Sequence, residues 1–131
     1  VQQACPTLVI RAEEGVISGP EVRREVERCL APILAERVDT LVLGCTHFPH
    51  MAKVIQDVVG PAVRLVDPGK ATAVQVADLL RRRGLLNPGP GPGQRRAFTT
   101  GDPQRFLEVA CRLWPGGVDA AAHIHLWSQQ E

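Results

Sequence analysis

Three features are absent or scarce in this 131-residue sequence: a long apolar run, an excess of one charge and a close pairing of cysteines. No apolar run approaches the roughly 20 residues that span a bilayer. No basic-then-apolar leader opens the chain, so secretion is not indicated. The formal net charge of +1 gives no strong field for nucleic acid or an anionic membrane, and neither is expected as a partner.

The cysteines are widely spaced along the chain and form no repeat. They stand at Cys5, Cys29, Cys45 and Cys111. This spacing is not typical of a disulfide framework, and a reducing cytoplasm is the simpler expectation. The composition, with 44% hydrophobic and 22% charged residues, suits one ordinary globular domain.

What the sequence does contain is a regular alternation of short apolar runs and amphipathic stretches. Strands are predicted at residues 8–10 (weakly), 40–43, 63–66, 97–100 and 121–127. Helices are predicted at residues 20–34, 49–59, 70–83 and 103–114. Strands that alternate with helices imply a largely parallel sheet with helices on both faces, which is a three-layer αβα arrangement of the α/β class.

Some of these elements carry specific expectations. Pro32 falls inside the first helical pattern and should kink or shorten that helix. The run at 40–43 is apolar after its threonine, which is typical of a strand covered on both faces. Gly84 should end the helix predicted at 70–83. The residues of that helix expected to face inward are Ala73, Val76, Ala77 and Leu80.

The stretch at residues 41–49 contains the groups best suited to chemistry. An apolar run ends at a glycine, and Cys45, Thr46 and His47 follow before a proline opens the next helix. A thiolate just before a helix N-terminus is stabilised by the helix dipole, and a nearby histidine can exchange its proton. Cys45 is therefore a candidate base or nucleophile. Thr46 offers a hydroxyl and a backbone N–H to a carboxylate.

Three polar residues each follow a predicted strand, namely Cys45, Asp67 and Thr100. In parallel α/β sheets, ligands bind beyond the carboxyl ends of the strands. We therefore expect these three side chains at one edge of the sheet.

Other interpretations of these residues stay open. Cys45 can equally be a small buried apolar residue, as free cysteines often are. Cys45, His47 and His50 are also close enough in sequence to suggest a metal site. Zinc usually takes four ligands with paired spacings, and the only second group, His123 and His125, alternates as on a solvated strand face. We therefore expect no metal.

Further charged or glycine-rich segments have ordinary explanations. Residues 87–93 alternate proline and glycine, which predicts a loop rather than a phosphate-binding turn. Arg81–Arg83 occupy the last turn of a predicted helix, where cations complement the dipole. Glu13 and Glu14 are expected on the solvated surface, although one of them could reach a site at the strand ends.

The segment Gly44–Pro49, with the sequence GCTHFP, resembles the second cysteine motif of glutamate racemase, a member of the aspartate/glutamate racemase family. Other segments resemble that family in the same order along the chain: Ala4–Pro6 leading to Glu13–Gly15, Leu65–Gly69 with Ala71 and Ala73, and Thr99–Pro103 with Phe106. Together the matched segments cover nearly the whole chain.

The resemblance implies an activity and roles for several residues. The family interconverts L- and D-glutamate without a cofactor and supplies D-glutamate for peptidoglycan. Two cysteines on opposite faces of the substrate α-carbon remove and return a proton. The resemblance makes Cys45 one of this pair, and makes Thr46 and His47 substrate contacts. His47 would also assist Cys45, and Glu13 matches the acidic residue that the family places near this histidine.

The first cysteine motif of the family does not occur in the sequence, and Cys5, Cys29 and Cys111 stand in other contexts. The resemblance thus implies a C-terminal portion, half of a two-domain pseudo-symmetric fold. Residues 1–67 would complete the second domain, and residues 68–131 would pack on the absent first domain. By itself such a portion should expose an edge and an apolar face, be poorly stable, and be inactive because one base cannot serve both faces.

Two other functions remain open. The parent protein could be an aspartate or related amino-acid racemase, because side-chain length is read largely by residues outside this chain. From a different class, the chain could be a non-catalytic amino-acid-binding or assembly module. The partners implied by the resemblance are glutamate and the missing N-terminal half, with a homodimer left open, and the expected location is the cytoplasm.

Overall fold

The computed structural model describes residues 1–91 and 93–126, and the chain divides into two compact units, Val1–Leu86 and Asn87–Glu131. The helices are α1 (Pro6–Glu13), α2 (Pro20–Ala35), α3 (Ala52–Val59), α4 (Pro68–Arg82) and α5 (Pro103–Leu113). A 3-10 turn at Phe48–Met51 precedes α3. The strands are β1 (Thr40–Val42), β2 (Arg64–Val66), β3 (Arg96–Thr99) and β4 (Ala120–His123). In the part of the chain that is described, no helix is long and apolar enough to cross a membrane.

The strands pair in parallel, as the alternation of strands and helices predicts. β1 pairs with β2 in the first unit, and β3 pairs with β4 in the second. Each pair is closed by a crossover helix, α3 or α5, which a parallel connection requires. The expectation of one sheet is wrong for the described residues, because they form two separate two-stranded sheets. The chain between β2 and β3 is occupied by α4 and a proline- and glycine-rich loop rather than by a crossover that would join them.

The hydrophobic core of the first unit is built from α1, α2, the end of β1 and α3. Its buried side chains are Cys5, Leu8, Ala12, Val22, Val26, Leu30, Ile33, Leu43, Met51, Ile55, Val59 and Val63. The spacing of three and four along α2 predicted its buried stripe, and the structure confirms that prediction. The helix continues past Pro32 to Ala35, so the shortening expected at this proline does not occur.

The strand predicted at residues 8–10 is wrong, since these residues belong to α1. Pro6 occupies the first helical position, where its missing N–H costs nothing. Leu8 and Ala12 lie one helical turn apart and are both buried. A short apolar run does not by itself distinguish a strand from a buried turn of helix, and here packing against α2 decides the outcome.

The expectation that the cysteines stay unpaired is also wrong, because Cys5 and Cys29 form a disulfide with a Cα–Cα distance of 6.0 Å. Cys5 is the residue just before the first turn of α1, and Cys29 lies on α2, against which α1 packs. The bond arises from helix packing, which the spacing of cysteines in the sequence does not reveal. Cys45 and Cys111 are free thiols.

Two burial predictions fail in the same direction. Val42 on β1 is exposed, so this strand is not covered on both faces. α4 buries none of its residues: Ala73, Val76 and Ala77 are exposed, and Leu80 is half-buried. The other elements of Val1–Leu86 therefore bury no side chain of α4.

Other element boundaries follow the sequence closely. Gly84 has a φ of +64° just after α4, so the predicted helix stop is confirmed. The helix expected from residue 49 begins as the 3-10 turn and becomes α-helical at Ala52. The strand predicted at residues 121–127 is observed at Ala120–His123. Its predicted end, at residue 127, lies outside the described residues.

Candidate active site

The thiol of Cys45 lies at the rim of the first parallel strand pair. β1 ends at Val42, and the Leu43 N–H donates to the Val66 carbonyl at 2.9 Å, which prolongs the pairing by one residue. Leu43 is buried, Gly44 is exposed, and Cys45 is half-buried. The interpretation of Cys45 as a core residue is therefore wrong, because its thiol is partly open to solvent at the carboxyl end of the strand.

Three side chains form a connected series that starts at this thiol. Cys45 Sγ lies 3.5 Å from His47 Nδ1, and His47 Nε2 lies 3.4 Å from Glu13 Oε1. Thr46 Oγ1 also lies 3.5 Å from His47 Nδ1. The structure thus brings together Cys45, Thr46, His47 and Glu13, the residues singled out from the sequence.

The two ring nitrogens of His47 face different partners. In the tautomer that donates Nε2–H to Glu13, Nδ1 carries a lone pair and can accept the proton of Cys45. A carboxylate that orients an imidazole, which in turn contacts a nucleophile or base, is the geometry used to activate weakly acidic groups. The series can therefore generate a thiolate at the strand rim and hold its proton nearby.

The two adjacent glutamates have different surroundings. Glu13, the last residue of α1, faces His47, and it is half-buried. Glu14 is exposed and lies 3.6 Å from the Arg11 guanidinium. The sequence shows two consecutive carboxylates, and the resemblance favoured Glu13 over Glu14. The helical turn of α1 is what separates their directions.

A cavity of about 520 Å³ opens beside the thiol. It is lined by Leu43, Gly44, Cys45, Thr46, Pro49, Asp67, Pro68 and Gly69. Cavities of several hundred cubic ångströms are typical of small-molecule sites. The cavity therefore has room for an amino acid next to Cys45 and Thr46, whereas His47 and Glu13 are not among its lining residues.

Cys45 and Asp67 lie at the carboxyl ends of the paired strands β1 and β2, as predicted. The Asp67 carboxylate accepts a hydrogen bond from the Gly69 N–H at 2.9 Å and caps α4. Thr100 follows β3 in the other sheet. The expectation that Thr100 shares an edge with Cys45 is therefore wrong, because the strands belong to two sheets rather than one.

The sequence did not reveal a second cavity, of about 560 Å³, which also touches Cys45. Its lining is mainly apolar and includes residues 1–6 and 40–45. Nor did the sequence point to Arg11, whose guanidinium holds Glu25 of α2 at 2.9 Å. Pro6 is the signal in the sequence that could have predicted this contact, because a proline is typical of the first turn of a helix. A helix that starts at Pro6 places Arg11 and Glu13 in its last turn.

The histidines outside this series have other surroundings. In residues 1–91 and 93–126, no group of three or more His, Cys, Asp or Glu side chains could hold a metal ion. His50 lies in the 3-10 turn, where its backbone N–H donates to the His47 carbonyl. The exposed rings of His123 and His125 lie 4.5 Å apart in the second unit.

Comparison with known proteins adds independent information. A family model described as Asp/Glu/Hydantoin racemase matches residues 2–76. The whole chain is 99% identical to part of the glutamate racemase of Symbiobacterium thermophilum and covers 47% of that protein. It is 46% identical over 123 residues to a glutamate racemase of Levilactobacillus brevis, covering 94% of this chain and 45% of that protein.

The fold is also similar to solved glutamate racemases. The structure from Thermus thermophilus, in complex with beta-chloro-D-alanine, matches with a TM-score of 0.80 and 35% identity, covering 95% of this chain and 47% of that one. The structure from Francisella tularensis, in complex with D-glutamate, matches with a TM-score of 0.77 and 26% identity, covering 94% and 46%. The chain therefore spans about half the length of the proteins it matches.

Proposed function

Because the chain belongs to the Asp/Glu/Hydantoin racemase family, we propose that it forms one half of the active site of a glutamate racemase. The observation that carries this proposal is the free thiol of Cys45, 3.5 Å from His47 at the rim of a 520 Å³ cavity. The close similarity to the Symbiobacterium thermophilum enzyme supports glutamate as the substrate. The racemase would supply D-glutamate for peptidoglycan from the cytoplasm.

In the proposed reaction, the Cys45 thiolate removes the α-proton from one face of glutamate. The C–H bond breaks, an S–H bond forms, and the electron pair stays on the α-carbon and its carboxylate. A second thiol, contributed from outside these 131 residues, then protonates the opposite face. Each cysteine is base in one direction and acid in the other, so neither a cofactor nor a metal ion enters the cycle.

Substrate binding and the support of the Cys45 thiolate are assigned to its neighbours. Thr46 lines the cavity, so its hydroxyl and backbone N–H are available to bind a substrate carboxylate. His47 accepts the proton from Cys45 when the thiolate is needed, and we propose that it also contacts the substrate. Glu13, at 3.4 Å from His47, holds the imidazole in orientation and contributes to substrate binding through it.

The remaining residues are proposed to complete the two-domain protein. Residues 1–67 would belong to the domain that carries Cys45, and residues 68–131 would pack on the other domain. The exposed apolar side chains of Val74 and Val76 on α4 support this arrangement, because such surfaces are normally covered in a folded protein. The chain alone should therefore racemise glutamate negligibly.

The test uses the full-length Symbiobacterium thermophilum enzyme, whose matching region is 99% identical to this chain. In the present numbering, Cys45→Ser should lower glutamate racemisation at least about a thousandfold, because a serine hydroxyl is a far weaker base. Incorporation of solvent deuterium at the α-carbon, followed by NMR, measures the loss. The matched control is Cys111→Ser, which removes an exposed free thiol in the second unit and should leave the rate unchanged.

Undiminished deuterium exchange in Cys45→Ser would refute the assignment. Running the same assay with aspartate tests the substrate, and faster exchange with aspartate than with glutamate would favour the alternative racemase.

His47→Ala tests the assignment of the imidazole. If His47 serves Cys45 alone, its loss should lower kcat more in the direction in which Cys45 is the base than in the reverse direction, whereas kcat/KM must fall equally in both because the two enantiomers have equal free energies. Initial rates at saturating L- and D-glutamate measure the two kcat values separately, and equal losses of kcat would contradict a role confined to one cysteine.

A further inference from the structure

The position of Glu13 depends on how the end of α1 is held. The buried side chains of this helix are Leu8 and Ala12, and Cys5 at its N-cap is bonded to Cys29. These contacts secure the first turns of α1. In the last turn, which carries Glu13, the only buried side chain is the single methyl group of Ala12. A methyl group offers little contact area to fix the rotation of a helix end.

Arg11 supplies a further contact at this end of the helix. Its Nε and Nη2 atoms donate to Glu25 Oε1 at 3.1 and 2.9 Å, which links the last turn of α1 to α2. The Glu25 side chain is 17% exposed and that of Arg11 is 33% exposed, so this pair is more shielded from water than an ordinary surface ion pair. The hydrogen bond from Arg11, followed by its charge, lowers the pKa of Glu25 against the opposing effect of burial.

The Glu25 carboxylate depends on Arg11 for its hydrogen bonds. Its second oxygen, Oε2, is buried and accepts no hydrogen bond within the described part of the chain. Loss of the Arg11 guanidinium would leave this shielded carboxylate without its hydrogen-bond donors, with the charge of Arg28 remaining to stabilise it. The ion pair therefore selects one placement for the end of α1, and Glu13 lies two residues further along the same turn.

We propose that Arg11 is a positioning residue of the active site, which holds Glu13 against His47 through its ion pair with Glu25. This inference rests on the proposed function, in which His47 serves the Cys45 thiol. Arg11 touches neither the thiol nor the imidazole in the contacts described, so it acts through the placement of Glu13. The contacts then lead from Glu25 on α2 to Arg11 on α1, and from Glu13 at the end of α1 through His47 to the thiol of Cys45.

A double-mutant cycle in the full-length Symbiobacterium thermophilum enzyme tests this dependence. Arg11→Gln should lower kcat about tenfold with KM changed less than about twofold, since a misplaced orienting group impairs chemistry more than binding. Glu13→Gln should have a comparable effect. The double variant should be no slower than Glu13→Gln alone, because residues that act through one another are not additive.

Two further variants keep the outcome interpretable. Arg11→Lys retains the charge that compensates Glu25 but not the two-donor contact, so it should fold and show an intermediate kcat. Arg23→Gln breaks a comparable ion pair, with Arg23 Nε 2.9 Å from Glu27 Oε1 on the exposed side of α2, and should leave kcat unchanged. Losses from Arg11→Gln and Glu13→Gln that multiply would overturn the proposal, as would an unchanged kcat in a folded Arg11→Gln variant.

A second readout in the 131-residue chain does not depend on racemisation. Alkylation by iodoacetamide can be followed by mass spectrometry at Cys45, with the exposed free thiol of Cys111 as an internal reference. Arg11→Gln and Glu13→Gln should each slow Cys45 relative to Cys111 by the same factor, about threefold or more, because a disoriented His47 is less well placed to accept the proton of the attacking thiol. Their combination should slow it no further.

The two readouts separate the two hypotheses. If Cys45→Ser retains full exchange, the proposed function fails, whatever the alkylation rates are. If racemisation requires Cys45 but the Cys45:Cys111 alkylation ratio is the same in the wild-type chain and in Arg11→Gln, the positioning role of Arg11 fails.

Discussion

The two units of the chain share one local pattern and differ in what it buries. Each unit contains a pair of parallel strands joined by a helix. In Val1–Leu86, α1 and α2 add a second layer, and a continuous hydrophobic core results. In the described part of Asn87–Glu131, no hydrophobic side chain is buried, and Phe98 and Trp114 are 60% and 59% exposed. Two strands and one helix are too few layers to enclose a core.

The same contrast applies to chemistry. In the first unit, the core holds the first turns of α1 and the end of β1, and the Arg11–Glu25 ion pair joins the last turn of α1 to α2. Together these contacts bring Glu13, His47 and Cys45 into one series. In the second unit, the free thiol of Cys111 is exposed on α5. A reactive group needs a fixed surrounding shell, and the buried layer beneath the first strand pair provides it.

The largest expected difference between the units concerns the core. Leu8→Ala should destabilise the chain by roughly 2–5 kcal/mol, because Leu8 is fully enclosed. Phe98→Ala should cost less than about 0.5 kcal/mol, because most of that ring remains in water. Urea unfolding followed by circular dichroism measures both values. Equal costs would mean that the second unit has a core under solution conditions.

The next effect concerns the disulfide, which lies wholly in the first unit. Reduction of the Cys5–Cys29 bond, which joins residues 24 positions apart, should destabilise that unit by roughly 2–4 kcal/mol. Unfolding curves with and without dithiothreitol measure the loss. A Cys5→Ser/Cys29→Ser variant is the control and should not respond to reductant, whereas overlapping curves for oxidised and reduced wild type would show that the bond contributes nothing.

A smaller change in stability is expected from a substitution on α4, and its size should differ between the 131-residue chain and the full-length relative. Val76→Lys should change the stability of the 131-residue chain by less than about 0.5 kcal/mol, because Val76 is exposed. In the full-length relative, the same substitution should cost about 1.5 kcal/mol or more if another domain covers this helix. Equal effects in both proteins would contradict the proposed packing of residues 68–131.

The smallest effect is the pH dependence of one carboxylate in each unit. A hydrogen bond from the Arg95 backbone N–H, followed by one from its side chain, lowers the pKa of Asp119 below 3.8. A lowered folded-state pKa means that the ionised group stabilises the fold above the unfolded pKa and loses this effect as pH falls through the folded value. Asp119→Asn should therefore flatten acid unfolding of the second unit below pH 3.8.

Glu25→Gln should act in the same way in the first unit below pH 4.5, since Arg11 lowers the pKa of Glu25. NMR signals from β3–β4 and from α1–α2 report the two units separately. If either substitution left the acid response of its own unit unchanged, the contribution of that ion pair to the stability of the unit would be contradicted.

Much of the fold follows from local patterns. The apolar spacing of α2, the glycine that ends α4 and the parallel pairing of β1 with β2 all follow from residues within one element or its connection. The strand predicted at residues 8–10 fails because the choice between helix and strand there depends on contacts with α2. The inward face predicted for α4 fails because amphipathic spacing shows that a face is apolar, not that the chain covers it.

The candidate site likewise contains some features that follow from local sequence and others that depend on tertiary contacts. Cys45, Thr46 and His47 are neighbours in sequence at the end of an apolar run, so the sequence by itself determined that a thiol and an imidazole meet at a strand rim. Only the tertiary structure decided that Glu13 reaches His47. It likewise decided that Arg11 holds the helix carrying Glu13 and that Cys5 bonds to Cys29. These contacts join residues 14 to 34 positions apart, and helix packing rather than local sequence spacing brings such residues together.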